Sequence, residues 1–218
     1  VLFRSGDDVN ALWENASRRV VFLLKDKSDN SCDDIRTWLV TEKEIAQNNR
    51  ELKGGKVGRT CFLPNIARML YGLLNVSIDN PLGFEEVNVT KMDKVRETWN
   101  NEPVALIETK KVAGIETVSD AAMREALTRD NLPLQEELNI LKPNIIVCCD
   151  ANDSQFKFVT EKYFAGKPFK PILNNEIVYD GVKPCCIYYY PDEKVAVIKS
   201  YHPTKRGKEN WMVYERVV

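Results

Sequence analysis

Four short polar stretches of this 218-residue chain bring together side chains able to do proton or hydrogen-bond chemistry. The last, "SYHPTKRGKENW" at 200–211, holds the chain's one histidine, His202, with Pro203 fixing the chain direction just after it. An imidazole can give or take a proton near neutral pH, or donate a hydrogen bond to charge developing on a leaving atom. Asp26, in "KDKSD", is a candidate to orient or deprotonate water, and Lys25 and Lys27 beside it favour its charged form. Glu108 and Thr109, in "ETKK", offer an acceptor-only carboxylate beside a hydroxyl that both donates and accepts. Asp150 closes the set in "CDAND". Lys199, Thr204, Lys205 and Arg206 surround His202, with Lys208 beyond and no acid before Glu209, a run suited to phosphate contacts. Each has a plainer alternative. His202 could be an imidazole packed by Tyr201, Asp26 a turn cap, Glu108 a partner of Lys110 and Lys111, and the basic run a solvated loop.

Each of these stretches follows, or ends, a run that reads as a buried strand. "RVVFLLKD", "PVALIETKK", "KPNIIVCCD" and "KVAVIKSYHP" are short continuous apolar runs with polar ends, the pattern of strands covered on both faces. Helical periodicity separates them. Val9, Leu12, Trp13 and Ala16 share one face, and Phe62, Ile66, Met69, Leu70 and Leu73 another. Ser119 is placed to cap "SDAAMREAL", and "PLQEELNIL" and "DSQFKFVTEKYF" continue helically. "DDIRTWL" reads as a helix start, "NNRELKGGKVGR" as a loop, 76–102 as irregular, "CCIYYY" as a strand and "KRGKENWMVYERVV" as a final helix. Strands alternating with helices predict a single domain over 1–218. Its expected form is a three-layer α/β/α fold with a mainly parallel central sheet, whose ligands bind beyond the carboxyl ends of the strands.

Composition narrows the function classes. A net charge of −1 argues against a surface coated with phosphate-binding charge, while leaving room for a local patch. No apolar run approaches the ~18 residues that span a bilayer. The six cysteines form no C-x-x-C pair and with one histidine make no zinc cluster, so they read as reduced thiols of a cytoplasmic protein. Nothing in the motifs asks for a metal or an organic cofactor: Walker, dinucleotide-binding and nucleophile-elbow patterns are missing from the sequence.

In order and spacing, the strand ends resemble the uracil-DNA glycosylase superfamily. "LKPNIIVCC" is similar to that family's Lys-Pro-x-x-Ile strand, "PVALIETKKVAG" to its second motif strand, and "KVGRTCFLPNIARML" to the helix after its first motif. "YHPT" is similar to its His-Pro-Ser motif, and "FLLKDKSD" occupies the place of its water-activating loop. The resemblance runs from about residue 18 onward, in short pieces. It implies the glycosylase-like α/β fold and cofactor-independent hydrolysis of the N-glycosidic bond of a flipped base, uracil or another altered one, in DNA repair by base excision. His202 and Asp26 would be catalytic, and Glu108, Thr109 and Asp150 base-binding. Lys199, Thr204, Lys205 and Arg206 would bind phosphate, with DNA (single-stranded DNA included) or a nucleotide as partner.

The chain departs from the pattern at three places. The first motif's Gly and Pro are missing, Glu108 stands where the family has a base-reading Asn, and Asp150 stands where its third strand ends in Gly. Asn88, in "VNVTK", imitates the missing Asn but lies before the wrong strand. These departures keep open a catalytically inactive module of the same fold that binds nucleic acid or a nucleotide. They also leave room for an unrelated α/β enzyme acting on a nucleoside or sugar phosphate. Tyr188, Tyr189, Tyr190 and Trp211 offer base-stacking surfaces, although alternation along a strand turns most of the tyrosines toward packing.

Overall fold

The computed structural model describes residues 2–3, 9–25, 62–111, 118–150, 153–173, 186–203, 213–215 and 217–218. In chain order these form β1 (Leu2–Phe3), α1 (Val9–Asn15), β2 (Val20–Leu24), α2 (Phe62–Asn75), α3 (Met92–Asn101), β3 (Val104–Glu108), α4 (Asp120–Arg129), α5 (Asn131–Leu141), β4 (Ile145–Cys148), α6 (Ser154–Phe158), β5 (Lys170–Leu173), β6 (Ile187–Tyr190) and β7 (Val195–Lys199). π-Helical turns at Glu86–Thr90 and Val159–Tyr163 precede α3 and extend α6. The helix expected at "DDIRTWL", the loop at 48–59 and most of the expected final helix lie outside the described residues.

The chain divides into two compact units, each drawn from separate stretches: Val1–Ser17, Asp34–Ala105 and Pro203–Val218 in one, Arg18–Asp33 and Leu106–His202 in the other. In the first, β1 pairs antiparallel with the start of β3, Leu2 opposite Ala105. The face of α2 carrying Ile66, Met69, Leu70 and Leu73 is buried, as its periodicity predicts. Gly72 lets the chain's last residues come close: a Cβ there would lie 2.5 Å from Val218 Cγ2 and 2.6 Å from the Tyr214 hydroxyl. Tyr214 donates to Leu82 O at 3.0 Å, and Glu215 accepts from Phe84 N at 2.6 Å. The stretch 76–102, expected to be irregular, is turn and coil only over 76–83; beyond that it is helical. Met92, Val95 and Trp99, spaced three and four apart, bury one face of α3, and the charges between them face outward. Asn88 sits in the π-helical turn of this unit.

In the second unit the strand order is β3-β2-β4-β7-β6-β5. β2, β4 and β7 are parallel, and their apolar runs are buried as continuous stretches. β6 pairs antiparallel with β7, and β5 antiparallel with β6. The sheet is therefore mixed rather than mainly parallel, in an α/β fold compatible with three layers. The antiparallel side comes from the tight turn after "IYYY" and from β5, a strand the sequence reading omits because Pro171 stands inside it. Ser119 caps α4 as expected, its Oγ accepting from Ala122 N. α5 ends on Lys142 in the left-handed region (φ 46°), and the turn returns the chain to the sheet, where Asn144 Oδ1 accepts from Arg19 N at 2.6 Å. Among the described residues no helix is long and apolar enough to cross a membrane; Cys148 and Cys149 are free and buried, and Cys186 is buried.

Candidate functional site at the strand ends

Sheet register sets the site. Val20 pairs with Ile145, and Ile145 with Ala196, so the three parallel strands run out together. Beyond them Cys149 N donates to Leu23 O at 3.0 Å and Ser200 N to Cys148 O at 2.9 Å. Continuing that register puts Lys25, Asp150 and Tyr201 side by side, with His202 one residue further. β3 joins the same edge: Thr109 N donates to Leu24 O at 2.9 Å and Lys110 N to Lys25 O at 3.0 Å. The strand ends read from the sequence thus lie along one sheet edge, carrying Lys25, Glu108, Thr109, Asp150 and His202, all in the second unit. Asp26, Thr204, Lys205, Arg206 and Trp211 lie outside the described residues.

The residue that ties these ends together is one the sequence reading passed over. Gln155, on α6 and wholly buried, donates from Nε2 to Leu24 O and to Thr109 Oγ1, both at 2.8 Å. Its backbone N donates to Asp150 Oδ2 at 2.9 Å. One side chain therefore cross-links the ends of β2 and β3, and its backbone holds the residue after β4. A neutral Gln inside "DSQFKF" matches no motif. Its only signal is a polar residue in a helix whose Ser154, Gln155, Phe156 and Phe158 are all buried.

Electrostatics separate the two ionisable groups. His202 is partly buried, and its pKa is pushed down to about 4, by burial first and by the nearby Lys25 ammonium second. At neutral pH it is an uncharged imidazole, able to donate from one ring nitrogen. Asp150, 1% exposed, has its pKa raised by burial, with the Asp153 charge adding to it, against the opposing effects of the Gln155 and Ser154 backbone N–H groups and Lys25. Its Oδ1 is buried with no hydrogen-bond partner, as is Gln155 Oε1. Burial pushes the Cys148 and Cys149 thiols well up, with the Asp150 charge adding to it, so neither supplies a thiolate nucleophile. Glu108 is half-buried.

Three of the residues singled out from the sequence have partners within the protein. Lys199 is nearly buried and its ammonium is paired with Asp153, which leaves it less able to meet a phosphate than an exposed lysine. Tyr188 stacks on Phe169 at 4.4 Å and Tyr190 on Phe164 at 4.3 Å, so both rings are used within the protein. Among the described residues no group of three or more His, Cys, Asp or Glu side chains is arranged to hold a metal ion. In comparisons with known proteins, no family model matches the chain and no curated protein matches it in sequence.

Proposed function

We propose that this protein is a diverged uracil-DNA glycosylase-like hydrolase that cleaves the N-glycosidic bond of a flipped base without a cofactor, acting on DNA or a nucleotide in the reducing cytoplasm. The observation that carries the reading is the uncharged His202 at the shared edge of four strand ends, beside Lys25. Glycosidic cleavage leaves negative charge on the departing base. A fixed N–H donor aimed at that charge lowers the barrier by about 3–4 kcal/mol. A neutral imidazole suits this task because it donates without requiring an acidic medium. Thr109, Glu108 and Asp150 line the same edge and would hold the base. Asp26, one residue beyond Lys25, would position water, and Thr204, Lys205 and Arg206 would meet the flanking phosphates. The strand order β3-β2-β4-β7, with β2, β4 and β7 parallel, and the buried cysteines are compatible with this assignment.

The test is a panel of single- and double-stranded oligonucleotides carrying uracil, hypoxanthine, xanthine and amine-bearing bases, scored for abasic sites. Wild type should release at least one base, and His202→Ala should lower that rate about 10²–10³-fold with folding intact. No release from any oligonucleotide, together with salt-dependent binding, would replace the reading with an inactive nucleic-acid-binding module. Undiminished release by His202→Ala would remove the role given to the imidazole.

A further inference from the structure

We propose that Asp150 and Gln155 form an acceptor pair that reads the exocyclic amino group of a nucleobase, so that the site selects amine-bearing bases over their keto counterparts. The inference rests on the base-binding reading of the strand ends and narrows it.

The orientation of the Gln155 amide follows from its partners. Leu24 O can only accept, so the NH₂ end faces it, and the second N–H reaches Thr109 Oγ1. Oε1 must then face the other way, where it is buried and unpartnered. Asp150 repeats the pattern. Its Oδ2 takes the Gln155 backbone N–H, while Oδ1 is buried and unpartnered. Buried acceptors without donors are costly, and a ligand that supplies donors recovers the cost. One amino group has two N–H bonds, matching the two acceptors in number. A keto oxygen at the same place sets lone pairs against lone pairs. Both oxygens are shielded from solvent, so the donor has to displace what covers them.

The measurement is calorimetric titration of the full chain with matched free bases: cytosine against pyrimidin-2-one and uracil, and adenine against purine and hypoxanthine. The amine-bearing member of at least one set should bind about tenfold or more tighter than both others. Asp150→Asn keeps one oxygen for the Gln155 N–H and puts an NH₂ where Oδ1 stood, so the preference should shift toward the keto member. Should that variant fail to fold, as read by circular dichroism, the wild-type comparison alone decides. Equal affinities, a keto preference or no binding at millimolar base would overturn the proposal, and so would a folded Asp150→Asn that discriminates as wild type does. An amine preference with no base release from any oligonucleotide would sink the hydrolase reading and leave this one standing. Uracil release without an amine preference would do the opposite.

Discussion

Lys25 acts on two groups from one position. Its charge lowers the pKa of His202 and opposes the burial that raises Asp150. Lys25→Met should therefore move both pKa values upward. Because the chain has one histidine, its imidazole gives a single Hε1 resonance in an NMR titration, free of overlap from other histidines. That resonance should titrate near pH 4 in wild type and measurably higher in Lys25→Met. An unmoved midpoint would show that burial alone sets the shift. The same depression has a consequence for stability. The unfolded imidazole takes up a proton near its ordinary value of 6.5 and the folded one near 4. Stability linked to His202 is therefore full above about pH 6.5 and lost as pH falls from there to 4, by roughly 3 kcal/mol. Asp150 acts in the opposite sense, disfavouring the folded state as pH rises above its ordinary carboxylate value. At this scale the sequence was legible where a residue type is rare or charged. His202, Glu108 and Asp150 stand out because their chemistry shows in the letters. Gln155 does not, because its importance lies in which carbonyl its amide meets, and that depends on strands far apart in sequence.

Elements were legible where burial on both faces writes a continuous apolar run. β2, β4 and β7 were read directly for that reason, and so was α2, whose apolar positions recur at helical spacing. α3 was missed although Met92, Val95 and Trp99 carry the right period, because seven of its ten residues are polar or charged and drown the pattern. β5 was missed because "KPIL" opens with a lysine and a proline and is mostly exposed, so its pairing with β6 comes from the sheet edge rather than from its own preference. The approach at Gly72 carries a prediction on the same scale. A valine there would meet the Tyr214 ring and hydroxyl and the Val218 side chain. Gaining a better helix former offsets only a few tenths of a kcal/mol. Overpacking and a disturbed Tyr214–Leu82 bond outweigh it, so Gly72→Val should destabilise by about 2–3 kcal/mol. A urea melt would register this as a lower midpoint at unchanged slope, and an unshifted midpoint would contradict it.

At the scale of the molecule, composition bounded the class without revealing its partition. A balance of −1 and ordinary hydrophobic content fit a folded α/β protein, but no shift in composition marks the passage from one unit to the other, since each takes up the chain and releases it more than once. That threading sets how the protein would bear tension. Both described ends, Leu2 and Val218, belong to the first unit, while the second is inserted as 18–33 and 106–202. In an optical trap with handles at residues 2 and 217, the load falls on the first unit. When it yields, only 2–17 and 203–217 lengthen the tether, because 34–105 hangs as a slack loop between two anchors still held by the intact second unit. The first rip should therefore be short and the second long, with most of the hidden length paid out only when the sheet bearing His202 gives way.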